Sequence, residues 1–234
     1  ISTFRFVVKN VAKRNGLHAT FMPKPIYGVN GSGMHTHQTL LKGDRNAFFD
    51  ADREWQLSAT CLHYIGGLLR HARGYCAITN PLVNSYKRLV PGHEAPTAIA
   101  WSEKNRSPLV RVPAARGDGT RVEQRLPDPS CNPYLALTVM LRAGLDGVVQ
   151  EMDPGPPVTK NISKMSHRER RHLRIDDLPT NLSEALDELE KSELVRDALG
   201  EHIFEHFLAA KRGEWDDYSR QVSPWERDRY LSVY

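Results

Sequence analysis

Charged side chains occupy every second position between residues 120 and 126 of this 234-residue chain. The charged set is Arg121, Glu123 and Arg125, and the positions between them are uncharged. This period of two predicts a β-strand with one charged face, so the chain must also contain a sheet for that strand to join. The charged face is either a solvated ladder of ion pairs or the floor of a binding site. In a binding site, the carboxylate can hold a hard cation while the guanidinium groups clamp anionic oxygens.

A glycine-rich turn over residues 28–33 runs directly into a second alternating segment. Glycines such as Gly31 allow backbone N–H groups to approach an anionic ligand closely. Because His35, His37 and Thr39 are spaced two residues apart, they lie on one face of the predicted strand. The two histidines are either ordinary surface residues, or one is a metal ligand and the other contacts a phosphate or a sugar.

Arginines are concentrated in segments rich in turn residues, at Arg88, Arg106, Arg111, Arg121 and Arg125. Five guanidinium groups suit a site that holds several negative charges at once, such as a triphosphate together with a carboxylate substrate. Glu94 lies in a constrained loop between Pro91-Gly92 and Pro96. It is either a surface residue or a lid residue close to the arginines.

The hydrophobic pattern elsewhere predicts helices with short strands between them. We expect helices at residues 4–12, 54–78 and 133–149, and strands at 18–22 and 109–112. Asn132 followed by Pro133 is typical of a helix start. Inside that helix, the inward face is expected to carry Leu137, Leu141 and Leu145. Residues 80–98 are expected to be loop.

A cluster of three prolines in residues 153–160 marks a break in composition. It predicts a catalytic part over residues 1–152, followed by a helical C-terminal segment of the same domain over residues 153–234. We expect that segment to contain helices at 183–189, 193–199 and 200–215.

Composition argues against several classes of protein. No apolar run approaches the ~18 residues of a membrane span, so no membrane partner is expected. Three cysteines without CxxC spacing argue against a disulfide framework or a zinc cluster, and a reducing cytoplasm is the expected location. The balance of 32 basic against 28 acidic side chains is too even to indicate a nucleic-acid partner.

Several long motifs, in a fixed order, resemble those of the glutamine synthetase family. They are Lys24-Pro25, Asn30-Gly31-Ser32-Gly33-Met34-His35-Thr36-His37-Gln38-Thr39, Asn80-Pro81, Asn84-Ser85-Tyr86-Lys87-Arg88-Leu89, Glu94-Ala95-Pro96, Asn105-Arg106-Ser107, Arg121-Val122-Glu123-Gln124-Arg125, Pro127-Asp128-Pro129 and Asn132-Pro133-Tyr134-Leu135-Ala136. The resemblance is dense over residues 4–149 and corresponds to the C-terminal part of the family's catalytic domain. It implies an α+β fold, with an antiparallel sheet flanked by helices and a helical C-terminal segment.

The resemblance also implies an activity, the ATP-dependent ligation of ammonia to L-glutamate through a γ-glutamyl phosphate intermediate, with Mg²⁺ or Mn²⁺. The implied metal ligands are His35 and Glu123. The implied glutamate-binding residues are Asn30, Gly31, Arg88, Glu94, Arg106 and Arg125. The implied nucleotide-binding residues are His37, Thr39, Arg106, Arg111 and Arg121. The implied catalytic residues are Glu94, which binds ammonium and takes its proton, and Arg106, which steadies the transferring phosphate.

Part of the family's site has no counterpart in this sequence. In the family, further metal-binding glutamates and a small N-terminal domain precede the position of Ile1, so the chain is expected to be truncated there and inactive alone. Family members form homo-oligomers of two stacked rings, with active sites between subunits. Two alternatives stay open: a sister ligase that joins glutamate to an amine, and a catalytically silent structural or binding relative. Such amine ligases tend to carry a Trp where this chain has His93-Glu94, which favours ammonia.

Overall fold

The computed structural model describes residues 1–92, 95–103, 108–160, 162, 165–173 and 175–234, with the backbone alone for His167. Its helices are α1 (Ser2–Arg14), α2 (Ala59–Arg70), α3 (Ala72–Thr79), α4 (Ser85–Arg88), α5 (Pro133–Val149), α6 (His167–His172), α7 (Leu182–Glu190), α8 (Glu193–Leu199), α9 (Glu201–Ser219) and α10 (Pro224–Tyr230). Its strands are β1 (Thr36–Gln38), β2 (Leu41–Lys42), β3 (Arg45–Asn46), β4 (Ala98–Ile99), β5 (Trp101–Ser102), β6 (Val110–Arg111), β7 (Val122–Gln124) and β8 (Asp176–Asp177).

The two alternating segments form neighbouring strands of a four-stranded sheet with the order β1-β7-β6-β5, in which β1 is the edge strand and β7 is an inner strand. Strand β7 pairs antiparallel with β1 on one side and with β6 on the other, while β5 and β6 are parallel. The register places His37 opposite Glu123, and Arg111 opposite the same Glu123. The strands predicted at 109–112 and 120–126 are therefore confirmed, and the sheet gathers their charged positions at one place.

Helix α2 packs along α5 through small residues, which allow the two backbones to touch. A Cβ added at Gly67 would lie 2.1 Å from the carbonyl oxygen of Ala143, and one at Gly147 would lie 2.2 Å from that of His63. The helix predicted at 133–149 is confirmed, with Asn132 accepting a hydrogen bond from the amide of Tyr134.

The predicted inward face of α5 is wrong. Leu137 and Leu141 are 44% and 46% exposed, and Leu145 is only partly buried. The buried face of α5 instead carries small and medium side chains, at Ala136, Val139, Met140, Ala143, Gly144 and Gly147. Close backbone packing against α2 outweighs the burial of larger leucines here, because a leucine at the contact would hold the helices apart.

The single helix predicted over residues 54–78 is also wrong, because it is divided into α2 and α3 at His71. The His71 ring is 2.7 Å from a carboxylate oxygen of Asp146 on α5, which fixes the junction. Leu57, Cys61, Tyr64, Ile65 and Leu68 are all buried. The break turns α3 so that the Tyr75 hydroxyl donates to the carbonyl of Leu68, at 2.6 Å.

Two expectations for irregular regions need correction. The strand expected at 18–22 is wrong, because in the described part of the chain no strand lies beside those residues to complete a ladder. The stretch 80–98, expected to be loop, contains the one-turn helix α4 and ends where the short strand β4 begins. The first predicted helix is confirmed as α1, although its apolar side chains, such as Phe6 at 70%, are largely exposed.

The C-terminal helices share one hydrophobic core with the sheet and with α2, α3 and α5. Leu186 of α7, Val195 of α8 and Phe204 of α9 belong to the same buried cluster as Leu126 and Val139. The helices predicted at 183–189, 193–199 and 200–215 are confirmed as α7, α8 and α9. The boundary between residues 152 and 153 stays a prediction. Over the residues that the structure covers, no helix is both long and apolar enough to cross a membrane.

Candidate active site

The buried carboxylate of Glu123, at the centre of β7, is the point where the charged side chains meet. Glu123 is only 4% exposed. One of its oxygens is 2.9 Å from His35 Nδ1 and 3.8 Å from Arg125 Nε. The other oxygen accepts a hydrogen bond from Arg111 Nε. Three other predicted site residues, His35, Arg111 and Arg125, therefore surround the Glu123 carboxylate.

The surroundings set the protonation states of this cluster. Burial raises the pKa of Glu123, but the charge and hydrogen bond of Arg111, with His35 and Arg125, outweigh it and lower the pKa below the ordinary value. Burial, together with the charges of Arg125 and Arg88, lowers the pKa of His35 against the opposing effect of Glu123. At neutral pH, the cluster thus contains an ionised carboxylate and a neutral imidazole, which has a lone pair to donate.

A cleft of about 130 Å³ opens beside this cluster, lined by Asn30, Gly31, Gly33, His35, Arg88, Ala95 and Arg125. Arg88 is buried, and its guanidinium donates to the carbonyls of Leu126, at 2.8 Å, and Arg125, at 3.1 Å. Burial and the neighbouring Arg125 lower the pKa of Arg88 to about 10, although Asp128 opposes the shift. Arg88 therefore keeps its charge at neutral pH. All four glutamate-binding candidates that the structure describes line this one cleft.

The glycine-rich turn has no room for side chains at two of its positions. A Cβ at Gly31 would lie 2.3 Å from the carbonyl oxygen of Pro23, and one at Gly33 would lie 2.7 Å from Arg88 Nη2. The turn is held by backbone hydrogen bonds from Ser32 to Pro23 and from Met34 to Pro127, each 2.8 Å. These contacts explain the glycines that the sequence places before His35.

The remaining candidates lie on the same face of this strand pair, towards its exposed end. Arg121 Nε donates to His37 Nδ1 at 3.1 Å, and its Nη1 donates to the carbonyl of Gly119 at 3.0 Å. The Thr39 hydroxyl lies 3.1 Å from both Asn46 Oδ1 and the carbonyl oxygen of Thr120. The nucleotide candidates His37, Thr39 and Arg121 thus form a second group, whereas the nucleotide candidate Arg111 contacts Glu123. Glu94 and Arg106, and with them His93, lie outside the described residues.

The metal prediction can be tested on the chemistry of the donor atoms. Over the described ranges, no group of three or more His, Cys, Asp or Glu side chains forms a complete set of metal ligands. The pair of His35 and Glu123 does fit part of a divalent-metal site, because a neutral imidazole and an ionised carboxylate are both suitable ligands. The other coordination positions would be filled by groups outside this pair.

Sequence analysis assigned no role to two buried residues that support the cleft, although both lie in motifs of the resemblance. Asn80 Nδ2 donates to the Leu126 carbonyl, at 3.0 Å, and to Asp128 Oδ2, at 3.2 Å. The same Leu126 carbonyl accepts the hydrogen bond from Arg88, so Asn80 and Asp128 fix the strand end on which Arg88 depends. The only available signal was polar residues beside prolines, at Asn80-Pro81 and Asp128-Pro129, which are also typical of turns.

Comparisons with known proteins place the sequence in one family. Residues 1–230 match the family model for the glutamine synthetase catalytic domain. Glutamine synthetases from Thermus thermophilus and Methanosarcina mazei are 60% and 55% identical to the chain over 234 and 233 residues. Each comparison covers 100% of this chain and 52% of the relative, so the chain spans about half the length of the curated relatives it matches.

Two solved structures extend the comparison to the fold. Apo GmaS without ligand has a TM-score of 0.85 and covers 98% of this chain and 52% of its own. The GmaS/ADP complex in conformation 1 has a TM-score of 0.87 and covers 99% and 53%. Both are 40% identical to the chain. The predicted α+β fold, with helices flanking a mainly antiparallel sheet, is confirmed, and the class of domain that the chain resembles is a catalytic domain. The chain belongs to the glutamine synthetase family.

Proposed function

We propose that the intact protein ligates ammonia to L-glutamate, using ATP and passing through γ-glutamyl phosphate. The observation that carries this proposal is the cleft itself, where Arg88 and Arg125 lie beside the cluster of His35 and Glu123. A site for a dicarboxylate substrate next to a partial metal site is the arrangement that phosphoryl transfer to a carboxylate requires.

Glutamate binding falls to the cleft. Arg88 and Arg125 present buried guanidinium groups, which bind carboxylate oxygens more strongly than exposed groups do, because little water competes. Asn30 supplies a polar side chain, and the absence of side chains at Gly31 and Gly33 allows the turn to pack closely against Pro23, Arg88 and His35 at the cleft. The side-chain carboxylate of the substrate then points towards Glu123 and Arg111.

ATP binding falls to the exposed end of the strand pair. His37, Thr39 and Arg121 are the proposed nucleotide contacts, and Arg111 faces the phosphates beside Glu123. His35 and Glu123 would be among the ligands of a divalent cation, Mg²⁺ or Mn²⁺, whose charge when bound neutralises phosphate oxygens during transfer. Arg106 is proposed to steady the transferring phosphoryl group.

Ammonia is proposed to attack the acyl phosphate under the loop that carries Glu94. A carboxylate there can bind ammonium and take its proton, which leaves neutral ammonia as the nucleophile. The loop also shields the acyl phosphate from water.

We place the reaction in the cytoplasm of the cell, because Cys61, Cys76 and Cys131 are all free thiols. We further propose that the intact protein is a homo-oligomer.

The proposal is tested by incubating the intact protein with ATP, glutamate and either ammonium or methylamine, and measuring phosphate and amide products. We expect glutamine with ammonium, at a kcat/KM well above that with methylamine. A preference for methylamine would identify an amine ligase, and no product from either acceptor would identify a silent relative.

A metal-binding measurement tests the site separately. Glu123→Gln should weaken Mn²⁺ binding by at least about tenfold, because even the loss of a hydrogen-bond partner of a metal ligand costs 10–100-fold. Glu188→Gln is the matched control, because Glu188 pairs with Arg73, at 3.3 Å, outside the cluster. Equal Mn²⁺ affinities in the two variants would contradict the assignment of Glu123.

A further inference from the structure

We propose that two buried tyrosines are positioning residues, each of which orients a different part of the site. Tyr75 holds Gln124 on β7 and so orients Glu123 and Arg125, the glutamate and metal side. Tyr64 holds Gln38 on β1 and so orients the nucleotide side. The division into glutamate and nucleotide sides rests on the proposed function.

The anchor on β7 is a fully buried chain of hydrogen bonds. Gln124 Nε2 donates to the Tyr75 hydroxyl at 2.6 Å, and that hydroxyl donates to the Leu68 carbonyl at 2.6 Å. Gln124 Oε1 accepts from the backbone amide of Arg125 at 3.2 Å. Since a backbone amide can only donate, the orientation of the Gln124 carboxamide is fixed at both ends.

The anchor on β1 has the same chemistry. The Tyr64 hydroxyl donates to Gln38 Oε1 at 2.6 Å, and Gln38 Nε2 donates to the Thr36 hydroxyl at 3.1 Å. The Tyr64 ring is held against α5, because a Cβ at Gly144 would lie 2.2 Å from it. Strand β1 is at the edge of the sheet and pairs only with β7 over the described residues, so this side-chain contact supplements a single ladder.

Because of strand geometry, each hydrogen-bonded glutamine fixes the directions of the neighbouring site residues. Successive side chains of a strand point to opposite faces, so fixing Gln124 on the core face fixes the directions of Glu123 and Arg125 on the cleft face. In the same way, fixing Gln38 fixes His37 and the following Thr39. The two tyrosines come from α2 and α3, on either side of the break at His71. A continuous helix would place Tyr64 and Tyr75, eleven positions apart, about 16 Å apart along one axis.

The test compares two matched variants of the intact protein, Tyr64→Phe and Tyr75→Phe, each of which removes one hydroxyl. Calorimetry measures the binding of ATP with Mg²⁺ and of L-glutamate. Tyr75→Phe should raise the Kd for glutamate about tenfold, and Tyr64→Phe should raise the Kd for ATP about tenfold, because small misplacements of binding groups have effects of this size. The other ligand's Kd should change much less in each case.

A purely structural role would give a different result. In that case both variants lower the melting temperature and leave both Kd values unchanged, or weaken both ligands equally, and either result overturns the proposal. The double variant Tyr75→Phe/Gln124→Met removes both partners, so it leaves no buried donor unpaired and should recover stability relative to Tyr75→Phe. We expect its glutamate Kd to stay raised, and recovery of glutamate affinity together with stability would also overturn the proposal.

The wild type separates this proposal from the proposed function. A wild type that binds both ligands but forms no glutamine refutes ammonia ligation alone, and the Kd values of the variants still decide on the anchors. A wild type that binds neither ligand refutes both.

Discussion

At the scale of single residues, Gly33 determines how much of the cleft is open. A Cβ at this position would lie 2.7 Å from Arg88 Nη2 and 3.0 Å from His35 Nε2. Arg88 cannot yield without weakening its hydrogen bond to the Arg125 carbonyl. We predict that Gly33→Ala weakens L-glutamate binding by about tenfold or more, as expected when binding groups are displaced.

The matched control for this prediction is Ser32→Ala, which produces the same residue one position earlier in the turn. Ser32 keeps its backbone hydrogen bond to Pro23 in this variant, so its glutamate affinity should be close to that of the wild type. Titration calorimetry on the intact protein measures both. Equal affinities for the two variants would show that the cleft is not the glutamate site.

Residue-scale prediction from the sequence succeeded where the pattern was local. The period of two correctly placed Glu123 and Arg125 on one face, where their side chains are 3.8 Å apart. Arg88 lies 37 positions before Arg125, and the contact between them depends on the three-dimensional path of the chain. Only the family resemblance predicted that both residues belong to one site. The pattern places Gln124 only on the uncharged face of the strand. It gives no information on the buried hydrogen-bond partner of Gln124, Tyr75, which lies on the helix α3.

At the scale of elements, the contact between α2 and α5 is set by glycine. A Cβ at Gly147 would lie 2.2 Å from the His63 carbonyl oxygen and 2.5 Å from the Gly67 nitrogen, so the helix backbones would have to separate. We predict that Gly147→Ala lowers the free energy of unfolding by about 1–3 kcal/mol, the usual cost of overpacking. Chemical denaturation of the intact protein measures it.

Gly213→Ala is the control for that substitution. Gly213 also lies inside a helix, α9, but a Cβ there would meet nothing within 4 Å. Alanine favours helix over glycine, so this variant should gain up to about 1 kcal/mol. If both variants change stability equally, the tight packing of α2 on α5 is not the cause.

The start of α7 depends on pH through Glu184. The hydrogen bond from the Thr180 amide, at 2.8 Å, lowers the pKa of Glu184, with the Thr180 hydroxyl and Asn181 adding to it and burial opposing it. Because the folded-state pKa is depressed, this stabilisation is complete above roughly pH 4.3, the ordinary value for glutamate, and is lost as the pH falls through the folded value. Glu184→Gln should therefore cost about 1 kcal/mol at pH 7, and less near pH 3.

Urea denaturation at the two pH values measures this difference. Glu205→Gln, an exposed glutamate of α9, is the control and should change stability by less than about 0.5 kcal/mol at either pH. A Glu184→Gln deficit that is equal at pH 7 and pH 3 would contradict the role of the ionised carboxylate.

Element-scale prediction depended on whether the signal was in the segment itself. The cap at Asn132 correctly located the start of α5. No proline or adjacent glycine marks the break at His71 in the sequence. The partner of the His71 ring, Asp146, is 75 positions away. The orientation of α5 failed for the same reason, because the residues facing α2 are small and periodicity gives more weight to Leu137 and Leu141.

At the scale of the whole molecule, apolar side chains remain uncovered on α1 and α5. Those of α1 include Phe4, Phe6 and Val11, at 64%, 70% and 52% exposed. Exposed apolar surface of this kind favours association. We predict that the 234-residue chain by itself sediments as a multimer and that Phe6→Lys shifts it towards monomer. We also predict that the chain by itself makes no glutamine, since His35 and Glu123 alone would hold a metal weakly.

Analytical ultracentrifugation and a phosphate-release assay, both run beside the intact protein, check these three outcomes. A monomeric chain, or turnover within about tenfold of the intact protein, a difference of only ~1.4 kcal/mol in barrier, would contradict the prediction. The fold class could be inferred from the motifs, but this exposed surface could not, because helical periodicity shows that α1 has an apolar face and not what covers it.

The buried guanidinium groups of the cleft have a consequence for its resting state. Arg88 stays protonated at neutral pH because its pKa is about 10, and Arg125 lies across the same cleft. Two guanidinium charges at one cleft favour the binding of a small anion from solution, such as chloride, sulfate or phosphate, when no substrate is present. Under the proposed function, glutamate enters by exchange with such an ion, and its occupancy follows the ratio of glutamate to competing anion rather than the glutamate concentration alone.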